Sequence, residues 1–532
     1  MSCKPKRKRK CRLVEEVLIY NDFFMSRQKG SINNLIWGVV SVIITSVVAF
    51  IIPRLFIVNY GSEVNGLLAS IRQIYVYLAL LEAGVGSASV VALYGPMGRG
   101  DKHSVNSILA ATNHYYKKIG IIYALCIVVA GILYPFLLDT DIPYYICSLV
   151  IILQGAGSVM GYLVYGKYNM LLRVDNRSYV TIRLGMILSV LTDVVRIALV
   201  MNGQSIIEVQ ATYFFFGFLN MGYICWYIKK YYPWIDLSVK PDFEAISQKS
   251  SVFVHQISSL VFSHTDVLIL TFVCGLKTVS IYTMYAAVYG ILESAITITG
   301  NSVQSALGQT FNTDRVKFMK IQAAFETYYL AFVFSLFTVA GIFILPFMAL
   351  YTAGADMNYV YAWIPVLFTL YQLMSYGRVT SNNIIGFAAE FKSTRWRAWL
   401  ETAINLVVSL VCVFQFGIYG VLMGTVAAVF YRANDIILFA NHRVLKQSAW
   451  PTYRRWIVNA VLLTLTILFF RYIPMNTDTY ITLILNALWV SIVVFILFFG
   501  INSWTEKEAR KTASGYLKNM LPMLPILKYF YK

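Results

Sequence analysis

Fourteen apolar runs, each close to the length needed to cross a bilayer, follow one another along this 532-residue chain. They lie near 34–58, 65–94, 118–138, 143–166, 181–201, 208–228, 250–274, 279–309, 326–350, 359–385, 397–415, 418–440, 455–473 and 479–500. About 20 apolar residues cross the hydrocarbon as an α-helix, which satisfies its own backbone polar groups there. Only 13% of the residues are charged, where a soluble domain carries about a quarter. The sequence predicts an all-α polytopic membrane protein with about 14 transmembrane helices.

Charge fixes the orientation. With the N-terminus cytoplasmic, segments 1–33, 95–118, 167–183, 229–249, 310–320, 386–397, 441–455 and 501–532 face inward. They hold 37 of the 44 lysines and arginines, and the outward loops hold Lys277 and Arg471. That asymmetry follows the positive-inside rule and predicts a multi-pass cell-membrane protein with both termini cytoplasmic. The block "KPKRKRK" reads as a tail against anionic headgroups rather than a nucleic-acid arm. The net charge of +19 then needs no polyanionic partner. No short apolar core with a small-residue cleavage site follows the block, so no cleaved targeting signal is expected. The seven cysteines are scattered without paired CxxC spacing, which predicts neither a metal site nor a disulfide framework.

An internal repeat is visible. "FIVNYGSEVNGLLASIRQIYVYLALLEAG" set beside "LTFVCGLKTVSIYTMYAAVYGILESAITI" aligns Gly61 with Gly275, an offset of 214 residues. The expected organisation is a basic cytoplasmic tail (1–31), a six-helix lobe (32–229), a cytoplasmic linker (230–249) and a second six-helix lobe (250–441). An extra helix pair (442–500) and a basic cytoplasmic tail (501–532) follow. Parallel repeats of this kind place a substrate site at their interface near mid-membrane.

Ionisable residues inside spans are functional candidates. Asp193 with Arg196, and Arg432 with Asp435, are three apart and can neutralise one another on one helix face. Arg72 and Arg378 have no acid within four positions, leaving Glu82, Asp266 or Glu293 on other helices as partners. Both arginines lie among polar residues, Gln73 beside one and Gln372, Ser375, Thr380 and Ser381 around the other. An arginine fork suits phosphate, so an anionic, phosphate-bearing substrate in a wet cavity is the expected reason for them. The eighth span carries Glu293, Ser294, Thr297, Asn301, Gln304, Ser305 and Gln309 mostly at steps of three and four. Such a stripe matches sugar hydroxyls, and equally it can glue helices together. His264, Asp266, Glu401, Asn405 and Thr425 are candidates for Na+ or H+ coupling, against the plainer reading of interhelical hydrogen bonds. "GYLVYGKY" (161–168) approaches a phosphate-loop pattern but ends in Tyr168 at the end of a span, so no nucleotide hydrolysis and no cofactor is expected.

Two stretches, "VNYGSEVNGLLASIRQIYVYLALLEAGVGSASVVALYGPM" and "GFAAEFKSTRWRAWLETAINLVVSLVCVFQFGIYGVLMGTVAAVFYRANDIILFANH", resemble Wzx-type polysaccharide flippases. These belong to the multidrug/oligosaccharidyl-lipid/polysaccharide (MOP) exporter superfamily, and the similarity covers roughly 30–445. The resemblance implies two MATE-like six-helix lobes and a central cavity that opens alternately to each side. It implies a transporter rather than an enzyme, carrying an undecaprenyl-diphosphate-linked oligosaccharide outward. Its partners would be that lipid, membrane lipids and the polymerase and glycosyltransferase machinery of polysaccharide biosynthesis. It assigns the diphosphate to Arg72 and Arg378, and a cation to the carboxylates of the seventh and eleventh helices, here Asp266 and Glu401. A cation-coupled multidrug antiporter of the same fold, and a membrane glycan polymerase or ligase, are the alternatives. Short outward loops weigh against the enzyme, and the unpaired arginines against the antiporter.

Overall fold

The computed structural model describes residues 37, 40, 50–82, 85–246 and 249–520. The predicted tail 1–31, most of the first apolar run, Cys3, Cys11 and the chain beyond 520 lie outside the described residues. Helices fill the rest, without a strand: α1 (Phe50–Asn59), α2 (Ser62–Leu78), α3 (Val85–Arg99), α4 (Lys102–Leu133), α5 (Tyr144–Met160) and α6 (Gly166–Val174) come first. A π turn, Gly161–Tyr165, joins α5 to α6. Then follow α7 (Ser178–Met201), α8 (Ile206–Tyr231), α9 (Lys249–Thr313), α10 (Arg315–Tyr351), α11 (Trp363–Gly377) and α12 (Val379–Phe387). The chain continues through α13 (Phe391–Phe416), α14 (Ile418–Leu438), α15 (Trp450–Arg471), α16 (Tyr480–Thr505) and α17 (Lys507–Met520).

Ten helical stretches among the described residues are long and apolar enough to cross a membrane. One of them, Leu260–Thr313, holds two of the predicted spans, because Gly275 breaks it at φ 80°, ψ 170°. Of the remaining predicted windows, α8 fills the sixth, α11 with α12 fills the tenth, and α1 is the described end of the first. Gly61 precedes α2 with φ 85°. The two glycines aligned by the repeat thus share a left-handed backbone that only glycine enters without strain. Lipid-facing surfaces are plain on the outer helices: Phe414 is 75% exposed, and Ile492 and Ile496 are 62% and 68% exposed. In water such faces would be untenable, and in hydrocarbon they are at home.

The chain divides into two compact units, residues 1–60 with 71–257, and 61–70 with 258–532. In the first, Leu93, Val105, Ile108, Leu171 and Ile224 pack α3, α4, α6 and α8 into one apolar cluster. In the second, the start of α2 lies against the Gly275 turn. Asn65 Nδ2 donates to Ser280 Oγ at 2.8 Å, and the hydroxyls of Ser70 and Thr271 are 2.7 Å apart. Gly66 comes so close that a Cβ there would stand 1.9 Å from the Leu276 carbonyl oxygen. The helix pair α15 and α16, predicted as an appendage, packs on α10 within this unit.

Candidate functional site

In the first unit, Arg72 projects from α2. It is exposed and makes no hydrogen bond or ion pair among the described residues. Glu82, one of its expected partners, takes a hydrogen bond from the Tyr116 hydroxyl at 2.6 Å. Gly86 makes room for that carboxylate, since a Cβ there would sit 2.5 Å from Glu82 Oε1. Gln73, next to Arg72, is half-buried. Arg196, by contrast, is satisfied locally, 3.1 Å from Asp193 and donating to the Tyr213 hydroxyl at 2.6 Å.

In the second unit the charges form a chain. Arg378 stands at the junction of α11 and α12 and donates to Glu401 Oε1 at 2.7 Å. The other oxygen of Glu401 is 3.5 Å from Arg432 Nε, and Arg432 donates to Asp435 at 2.6 Å. Asp435 also accepts from Arg397. Three guanidiniums therefore share two carboxylates. The group carries one positive charge more than negative, shared over Arg378, Arg432 and Arg397. Buried ions persist only when paired and hydrogen-bonded, which makes this surplus an invitation to an anion.

Near it, Glu293 accepts a hydrogen bond from Gln372 Nε2, while Gln372 Oε1 is buried without a partner. Along the second half of α9, Ser294, Thr297, Asn301, Gln304 and Ser305 are exposed. Gln304 makes a long hydrogen bond to Asn383, at 3.4 Å. An exposed amide and hydroxyl stripe on a spanning helix belongs against water rather than hydrocarbon.

A third group gathers oxygen atoms. Asp266 is 4% exposed, and its Oδ2 accepts from Thr425 Oγ1 at 2.7 Å and from the Tyr282 hydroxyl at 3.3 Å. Asn405 Nδ2 donates to Thr425 Oγ1 at 2.9 Å, and Thr425 also reaches the Val421 carbonyl at 3.3 Å. Asp266 Oδ1 is buried with no partner. A carboxylate with one orphaned oxygen beside a hydroxyl and a carbonyl oxygen offers hard ligands of the kind a small cation takes, while Asn405 turns its amide nitrogen to the group. Of the residues named from sequence for coupling, the structure brings Asp266, Asn405 and Thr425 together. Glu401 lies instead in the arginine chain. His264 is half-buried two residues before Asp266, a spacing at which helix side chains do not face each other.

Sequence reasoning missed a fourth group. Glu326 on α10 is 5% exposed and accepts from Arg455, from Thr452 at 3.0 Å and from Thr380 at 3.4 Å. Arg455 also lies 3.4 Å from Glu506. A cavity of about 190 Å³ adjoins this group, lined by Gln322, Ser381, Asn441 and Arg455 among others. The signal was present in the acid of "AAFETYYL" within the ninth apolar run, but Arg455 had been read as the edge of a cytoplasmic segment.

No protein-family model and no curated protein matches the sequence. Solved structures do. A lipid II flippase, MurJ, in an inward closed conformation is similar with a TM-score of 0.67 at 13% identity, over 88% of this chain and 99% of that one. The chain has the fold of the MOP-superfamily transporters. A multidrug-resistance MATE-family transporter of that superfamily, inward-facing, gives a TM-score of 0.61 at 14% identity, over 75% of this chain and 95% of that one.

Proposed function

We propose that this protein is a flippase that moves undecaprenyl-diphosphate-linked oligosaccharide units from the cytoplasmic to the outer leaflet of the cell membrane by alternating access. The observation that carries the reading is Arg72, a guanidinium without a protein partner among the described residues, inside a spanning helix. A charge near mid-bilayer costs roughly 2.5–3.5 kcal/mol on insertion scales, so a helix keeps one there for an anion that arrives. A diphosphate offers that anion in the geometry an arginine fork matches. The one surplus positive charge of the group that holds Arg378 supports an anion contact there, and the stripe of Asn301 and Gln304 with Glu293 suits the glycan hydroxyls. Burying the diphosphate in hydrocarbon is prohibitive, while the polyprenyl tail can stay in the lipid. Outward movement of the headgroup gains about 2.3 kcal/mol per charge per 100 mV, inside negative. Asp266, Asn405 and Thr425 would hold Na+ or exchange a proton to couple a second gradient. Glycosyltransferases upstream and a polymerase downstream would supply and consume the cargo of this non-enzymatic step, with both termini on the cytoplasmic side.

The test is flipping in proteoliposomes with undecaprenyl-diphosphate oligosaccharide, followed by a membrane-impermeant glycan probe under an imposed potential. Wild type should expose the glycan, and Arg72→Ala should not while remaining folded. Transport of an organic cation by wild type, with no glycan lipid moved, would replace this reading with the multidrug antiporter.

A further inference from the structure

A lysine that the transport reading does not use is buried in the first unit. Lys167 is 7% exposed, and its ammonium donates to Asn113 Oδ1 at 2.8 Å and lies 4.9 Å from the centre of the Tyr168 ring. No carboxylate pairs with it among the described residues. Among the described residues, the charges that act on it are those of Lys117 and Cys225. An ammonium has three donors, and two of these find no acceptor among the described residues. Most of the side chain is buried, so its ammonium has little water to serve it.

The backbone brings this about. The π turn Gly161–Tyr165 inserts one extra residue into the fourth span, which rotates everything after it by about 100°. Gly166 permits the turn, since a Cβ there would meet the Tyr116 ring at 2.7 Å and the Gly161 carbonyl oxygen at 2.9 Å. Across from Lys167, Asn113 and Lys117 are one turn apart on α4 and so share a face. With its oxygen taken up by Lys167, the Asn113 amide nitrogen has no acceptor of its own among the described residues. A buried ammonium and an amide thus meet with spare donors, the exposed Lys117 lies one helical turn along the same face, and no carboxylate pairs with them among the described residues. Both segments, 95–118 and 167–183, are among those the charge pattern places inward, where phosphate groups of lipids and solutes are met.

We propose that Lys167, Asn113 and Lys117 form a binding site for one phosphate-type oxyanion, separate from Arg72 and Arg378. The group is either a free phosphate or the headgroup of an anionic lipid. A phosphate would take the two spare Lys167 protons, the Asn113 amide and the Lys117 charge, which compensates the buried ammonium.

Thermal melting of the full-length protein in neutral detergent tests this, with inorganic phosphate against chloride at matched ionic strength, and with phosphatidylglycerol against phosphatidylcholine in mixed micelles. Wild type should melt higher with phosphate or with phosphatidylglycerol, and whichever arm shifts names the source. Lys167→Met should melt at or above wild type without anion, because it removes an unpaired buried charge, and should lose the shift. Lys117→Gln should leave the unliganded melt alone and reduce the shift, while Lys167→Arg should keep it. Arg72→Ala should retain the full shift, which separates this site from the transport reading. Equal shifts in wild type and Lys167→Met, or no shift of wild type in either arm, would overturn the proposal.

Discussion

Glu401 reaches Arg378 with one carboxylate oxygen at 2.7 Å and Arg432 with the other at 3.5 Å. One acid on α13 thereby ties α11, α12 and α14 together, and hides the charge of an arginine that a substrate anion could claim. The bridge is both a structural joint and a stand-in for a ligand.

Breaking one side of a buried pair leaves the other charge uncompensated, at a cost of about 3–5 kcal/mol. Arg378→Met and Glu401→Gln should each lower thermal stability markedly. The double variant should lose less than the sum of the two, with a coupling of roughly 0.5–3 kcal/mol in a double-mutant cycle. Additive losses would show that the pair does not form.

Arg72 has no such joint among the described residues. Arg72→Ala should leave stability unchanged or raise it, since it removes a charge with no partner among the described residues. If the guanidinium binds diphosphate, loss of a charge-assisted hydrogen bond worth about 1.5–3 kcal/mol should weaken glycan-lipid affinity roughly 10- to 100-fold. Melting and binding measured on the same preparation check both halves.

The oxygen cluster around Asp266 makes a third prediction. Sodium, and not the larger potassium, should raise the melting temperature of wild type, as any ligand selective for the folded state does. Asp266→Asn and Thr425→Val should abolish the increment. Indifference of wild type to Na+ would leave the cluster as interhelical hydrogen bonding.

Acid should act at the start of α4. Asp101 caps that helix, accepting from the Ser104 hydroxyl at 2.6 Å and the Ser104 N–H at 3.1 Å. Those bonds hold its carboxyl below the usual carboxylate pKa. A lowered folded-state pKa stabilises above the unfolded value, and the benefit is lost as pH falls through the folded one. Hydrogen exchange at the first turn of α4 should therefore accelerate below about pH 4 in wild type, whereas in Asp101→Asn it should lack that step.

Glycine substitutions should separate in sign. Gly66→Ala should be strongly destabilising because its Cβ would run into the Leu276 backbone. Gly500→Ala, inside α16 with nothing within 4 Å, should gain about 0.5–1 kcal/mol, readable as a raised melting temperature.

What was legible in the sequence was what local spacing encodes. Helix windows follow from apolar run length, and the pairs Asp193–Arg196 and Arg432–Asp435 follow from the helical repeat. Gly61 and Gly275 were marked as equivalent turns by the internal repeat, and both take positive φ. Contacts across long separations were not legible. Glu401 is 23 residues from Arg378, and Glu326 is 129 from Arg455. Spacing on one helix says nothing about such partners. The π turn at Gly161–Tyr165 was hidden for another reason: inserting a residue into a helix leaves hydropathy unchanged while turning Lys167 to a different face.

The lodging of Gly66 against Leu276 ties the second unit to an early stretch of chain. At 5–20 residues per second of synthesis, residue 276 follows residue 66 by roughly 10–40 s. Throughout that interval Asn65 and Ser70 wait in or near the membrane for hydroxyl partners not yet made. A gene cut between its two repeats would yield one product lacking residues 61–70 and another carrying them without a berth. The two halves are therefore not interchangeable, and assembly of the later one must await a loan from the earlier.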